Sequence, residues 1–121
     1  MKHIPPTEDE IQHAIVDWIA WKCPRVYCFA VPNKALRTAR GRASNACPGL
    51  RPGVPDLCIL APGQRAYMIE VKRKGGYLSD VQKEEIPKIQ SRDIPVAVVY
   101  SLDEAIHAIR QWGIEGTGVI T

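Results

Sequence analysis

Two acids and a lysine stand close together near the middle of the chain. Pro55-Asp56 opens an apolar run, Pro62-Gly63 interrupts it, and Glu70-Val71-Lys72 closes the run that follows. Read as a hairpin through Pro62-Gly63, the two runs bring Asp56 opposite the neighbourhood of Glu70, within a residue of register that a bulge could correct. Side chains alternate along a strand, so Glu70 and Lys72 share a face with Met68, while Tyr67, Ile69 and Val71 take the other. Mg²⁺ prefers oxygen ligands and keeps several waters, so a few carboxylates suffice to hold it. A metal so held activates water and neutralises charge at a phosphodiester. The lysine ammonium can polarise that water or stabilise the pentavalent phosphate. These are the parts of a metal-dependent phosphodiesterase. Each residue also has a plainer reading: Asp56 as a turn residue, Glu70 and Lys72 as an exposed ion pair worth ~0–1 kcal/mol, Gln82 as a helix cap. The combination, together with a basic segment, favours the chemistry.

The elements around this stretch must position it. Residues 7–22 predict a helix, with Ile11, Ala14, Ile15, Trp18 and Ile19 at helical spacing and Thr7 with Glu10 as a capping box. At ~100° per residue, Glu8 falls on the apolar stripe and Glu10 just off it. Val26–Val31 reads as a buried strand, Val54–Leu60 as a second and Ala66–Lys72 as a third. Ser79 opens a helix with Gln82 as the partner of its capping box; Pro87 is expected to interrupt and kink that helix. Pro95–Tyr100 is a continuous apolar run of the central-strand type. Ser101 and Glu104 form a third capping box, and the last amphipathic helix closes at Gly113. The order α-β-β-β-α-β-α predicts an α/β fold, a mixed β-sheet flanked by helices.

With 121 residues the chain is expected to form a single domain, 1–121. No run approaches ~18 apolar residues, so neither a transmembrane helix nor a membrane partner is expected. The N-terminus has no signal-peptide core, so a cytoplasmic location is expected. Four cysteines contain no CxxC pair and read as buried free thiols rather than as zinc ligands or disulfides. Net charge is only +3, but from Trp18 to Pro55 there is no acid and there are seven basic residues: Lys22, Arg25, Lys34, Arg37, Arg40, Arg42 and Arg51. Such a segment attracts phosphate backbones. Most of it lies in residues 32–52, a long loop without periodicity, expected to be poorly ordered until substrate binds.

The sequence resembles the VRR-NUC (virus-type replication-repair nuclease) domain of the PD-(D/E)xK nuclease superfamily, in its stand-alone phage form. The resemblance spans nearly the whole chain. It rests on Glu8 with Ile11-Gln12, Val31-Pro32-Asn33, Gly53-Val54-Pro55-Asp56, Glu70-Val71-Lys72, Ser79 to Gln82, the valine-rich strand and the closing helix. It implies a restriction-endonuclease-like fold and a Mg²⁺- or Mn²⁺-dependent DNA nuclease. Asp56, Glu70 and the Val71 backbone carbonyl are the implied metal ligands, with Lys72, Gln82 and Glu8 completing the catalytic set. Asn33, Lys34, Arg37, Arg40, Arg42, Arg51, Arg73 and Lys74 are the expected DNA contacts. The resemblance further implies a homodimer acting on branched DNA such as four-way junctions, in a phage or prophage setting. A flap-cutting or nicking enzyme and a non-catalytic DNA-binding module of the same fold are the alternatives. Pro87 departs from the pattern, where similar sequences run a smooth helix.

Overall fold

Thr7 sets the point at which the chain begins to coil. Its hydroxyl accepts from the Glu10 amide at 3.1 Å and its amide donates to the Glu10 carboxylate at 3.0 Å, which completes the expected box. These bonds satisfy groups that a helix start leaves open, and the one from the Thr7 backbone does most to hold the Glu10 carboxyl below its ordinary value. Helix α1 follows as Glu8–Lys22 in the computed structural model, which describes residues 3–32 and 48–116. Ile11, Ile15 and Ile19 fall on one stripe of α1 and are all buried. Burial of each contributes ~1.5–3 kcal/mol.

After α1 come β1 (Tyr27–Ala30), β2 (Leu57–Ala61), β3 (Arg65–Val71), α2 (Asp80–Gln90), β4 (Val96–Val99) and α3 (Leu102–Trp112), the expected order. The strands form one mixed sheet in the order β1-β2-β3-β4. β1–β2 and β2–β3 are antiparallel and β3–β4 is parallel. Leu57, Ile59, Tyr67, Ile69, Val71 and Val99 pack with the α1 isoleucines and with Ala105 and Ile109 of α3 to make the core. Trp112 closes one end by stacking on Tyr67, with ring centroids 4.7 Å apart.

Four local expectations are corrected. β1 is not a buried strand but a sheet edge, with Tyr27 68% and Phe29 42% exposed. Its apolar content does not mark burial: β1 pairs with β2 alone, and Tyr27 and Phe29 stand on a face left exposed. β4 is not central either; it forms the other edge. Its run is continuously apolar because helices α2 and α3 both pack on it, and a strand covered by helices carries apolar residues at successive positions. Helix α2 runs from Asp80 to Gln90 through Pro87 without interruption. The proline removes one rung of the helical ladder, yet the start is held by a complete capping box and the Ser91 amide donates to the Pro87 carbonyl at 2.9 Å beyond it. The third capping box is only half formed. The Ser101 hydroxyl accepts from the Glu104 amide, but the Glu104 carboxylate accepts from the Tyr100 amide instead, at 3.0 Å.

Cys23, Cys28 and Cys58 are free, as expected, but only Cys23 is buried and the other two are half-buried; Cys47 lies outside the described residues. Burial, more than the neighbouring Cys58 and Cys23, pushes the Cys28 thiol up to about 11. Among the described residues no helix is long and apolar enough to cross a membrane.

Candidate active site

The hairpin places the two acids without a bulge. Leu57 pairs with Ile69, so the same register carried one residue further sets Asp56 across from Glu70. Ahead of Leu57 the β2 ladder ends, and the Asp56 side chain takes over as acceptor: Oδ2 receives the Val71 amide at 2.8 Å, a bond that is buried. On the other side the Asp56 carbonyl receives the Val31 amide at 2.8 Å. Asp56 is therefore held between β1 and β3, and its carboxylate lies beside the backbone of the Glu70-Val71-Lys72 strand end.

Glu70 is 1% exposed and Lys72 9%. Their charged atoms, Oε2 and Nζ, lie 3.6 Å apart. An exposed ion pair would be worth little, but this one sits out of water, where the interaction is much less screened. The plain surface-pair reading of Glu70 and Lys72 thus fails on burial. The Lys72 backbone is fixed as well, because its amide donates to the Val99 carbonyl at 2.9 Å.

Gln82 performs two tasks at once. Its Oε1 accepts from the Ser79 amide at 2.8 Å, closing the capping box, while its Nε2 donates to Glu70 Oε2 at 3.0 Å. The cap thereby decides which way the amide faces: with oxygen spent on the helix start, the nitrogen must point at the acid. Glutamate would cap equally well but would bring a second carboxylate against Glu70. Gln82→Glu should therefore keep the helix start but lower thermal stability, through repulsion with the buried Glu70 carboxylate, and slow cleavage. Cleavage that stays at the wild-type rate in this variant would separate Gln82 from the site.

The donor set fits a hard divalent cation. It offers carboxylate oxygens from Asp56 and Glu70, and the Val71 carbonyl opens on the strand side that its amide faces, toward Asp56. Among the described residues no three His, Cys, Asp or Glu side chains gather closely enough to hold a metal. Glu8, the half-buried first residue of α1, is thus not brought into one group with Asp56 and Glu70. Of the expected DNA contacts, Asn33, Lys34, Arg37, Arg40 and Arg42 lie outside the described residues. Arg73 and Lys74 are exposed on the turn that directly follows Lys72. Arg51 donates its Nε–H to Glu85 Oε1 at 2.7 Å while its side chain stays 62% exposed.

Glu85 is the residue that the sequence did not single out. It is 7% exposed on α2 and accepts from Arg51 and, through Oε2, from Lys88 at 2.7 Å. The Arg51 bond first, and then the Lys88 bond, hold its carboxyl down to about 2. The Glu85–Lys88 spacing is visible as a helical pair, but the link to Arg51 spans 34 residues and leaves no local signal.

The VRR-NUC domain profile matches residues 6–103. A Fanconi-associated nuclease 1 homolog from Pseudomonas aeruginosa is 41% identical over 71 residues, which are 58% of this chain and 13% of that protein. A solved structure described as a VRR_NUC domain protein aligns over 98% of both chains at 27% identity with a TM-score of 0.62. A second, described as a VRR_NUC domain, covers 88% of this chain and 99% of its own at 18% identity and the same TM-score of 0.62, and so shares the fold. With the profile covering most of the chain, and the mixed sheet and hairpin in place, the chain belongs to the VRR-NUC family of nuclease domains.

Proposed function

We propose that the protein is a Mg²⁺- or Mn²⁺-dependent DNA endonuclease, selective for branched DNA of the four-way-junction kind and acting as a homodimer. The observation that carries this reading is the convergence of Asp56, Glu70 and Lys72 at one strand end, with Asp56 Oδ2 on the Val71 amide and Lys72 Nζ 3.6 Å from Glu70. Asp56, Glu70 and the Val71 carbonyl would hold the metal. When bound, the ion would supply an activated water and offset charge on the phosphate. Lys72 stands where its ammonium can orient that water or stabilise the pentavalent phosphate. Gln82 keeps the Glu70 carboxylate oriented, and exclusion of water from Glu70 strengthens each charged contact around it. Arg73 and Lys74 extend cationic surface from the site toward a phosphate backbone. Tyr27, Phe29 and Leu60, exposed on the paired strands β1 and β2, leave apolar surface for a second copy.

The test is cleavage of a panel of DNAs (four-way junction, flap, splayed arm and linear duplex) with Mg²⁺, with Mn²⁺ and with chelator, using Asp56→Asn as control. Cutting of the junction that needs metal and disappears in the control is expected, together with a dimeric mass by light scattering. Equal cutting of linear duplex would remove the branched-DNA selectivity. No metal-dependent cutting of any substrate would overturn the reading.

A further inference from the structure

The segment that delivers Asp56 is fastened to α2 at two points. Arg51 Nε meets Glu85 Oε1 at 2.7 Å. Two residues on, Gly53 passes so close to α2 that a Cβ there would lie 2.8 Å from the Val81 carbonyl oxygen. Just past Gly53 the Val54 amide reaches back to the Arg51 carbonyl at 3.4 Å, which makes the link a turn rather than a free strand. Asp56 lies three residues beyond Gly53, and α2 also carries Gln82, which touches Glu70. One helix thus fixes both acids: Glu70 through Gln82, and Asp56 through the loop that Glu85 holds.

We propose that Glu85 and Arg51 form a positioning pair that sets the Asp56 carboxylate against the Val71 amide and so holds the two acids at their working separation. The significance for cleavage rests on the nuclease reading; the positioning itself does not. Glu85 bonds Arg51 and Lys88 rather than either acid, and it acts through the 51–56 segment. Arg51 could be read as a DNA contact, yet its Nε is spent on a carboxylate that lies almost wholly out of water, so its first role is to hold the loop. Lys88 bridges the same carboxylate from three residues along the same helix, and therefore does not tie the loop to α2. That difference gives an internal control.

The experiment is amide hydrogen exchange on the metal-free protein, read at Val71. The Val71 amide depends on Asp56, whereas those of Met68 and Lys72 on the same strand donate to the carbonyls of Pro95 and Val99. In Glu85→Ala and in Arg51→Ala, exchange at Val71 should quicken by on the order of tenfold, as expected for a local opening, while Met68 and Lys72 stay at wild-type rates. Lys88→Ala should leave Val71 unchanged. Mn²⁺ affinity, measured by calorimetry with the metal alone, should weaken in the first two variants and not in the third. Unchanged exchange at Val71 in both tether variants overturns the proposal. So does equal acceleration at Val71, Met68 and Lys72, which would mark a role in global stability only. A wild-type protein that cuts no DNA would sink the nuclease reading and leave the exchange result to decide the tether by itself.

Discussion

Lys72→Ala is expected to slow DNA cleavage by ~10²–10⁴-fold, the range for losing a positioned proton-transfer or charge-stabilising group. Stability should fall too. Glu70 is 1% exposed and keeps Gln82, but loses the cation 3.6 Å away. Removing one partner of a buried pair costs up to ~3–5 kcal/mol. A slow variant could then be slow only because it is unfolded. Lys72→Arg separates the two effects. It keeps a positive charge for Glu70, so thermal unfolding should recover much of the loss. A planar guanidinium cannot reproduce a compact ammonium at the same point, so single-turnover cleavage should remain slow. A Lys72→Ala protein that cuts at the wild-type rate means the site is assigned wrongly.

The hairpin was legible because every part of its signal is local. Period-two alternation, the Pro62-Gly63 turn and the Glu70-Val71-Lys72 string all lie within a short stretch; they leave the register open by one residue, and the sheet settles it without a bulge. Gln82 was half legible: the capping box is readable from Ser79, but that the same amide also reaches Glu70 depends on where α2 lands. The strand positions mislead for a definite reason. Apolar content reports neither how much of a strand is covered nor how many strands flank it. β4 is covered by helices while it sits at an edge, and β1 is apolar while Tyr27 and Phe29 remain exposed. Arg51 shows the same limit for charge. In a segment free of acids its bond to Glu85 is not legible, because that acid comes from a helix 34 residues away. Pro87 reads as a local break, yet the contacts at both ends of α2 outweigh one missing hydrogen bond.

The second large effect is expected at Gly53, where backbone and packing act together. Its φ is +90°, and an added Cβ would meet Val81 Cγ1 at 2.6 Å and the Val81 carbonyl oxygen at 2.8 Å. Gly75 supplies the comparison, with φ +82° and nothing within 4 Å of an added Cβ. Gly75→Ala should therefore cost only the conformational strain of a left-handed residue, ~1–2 kcal/mol. Gly53→Ala should cost that strain and also push the loop off α2, for a total of ~3 kcal/mol or more, a large share of the ~5–15 kcal/mol typical of a domain. Truncating Val81 to alanine removes the Cγ1 contact but not the carbonyl, so the double variant should recover only part of the loss. Because Asp56 follows three residues later and depends on the Val71 amide for its place, Gly53→Ala should also lose cleavage at temperatures where it is still folded. Chemical denaturation of the two alanine variants, with cleavage measured alongside, decides the matter. If Gly53→Ala and Gly75→Ala lose equal stability and Gly53→Ala still cuts, the close approach to α2 has no part in placing Asp56.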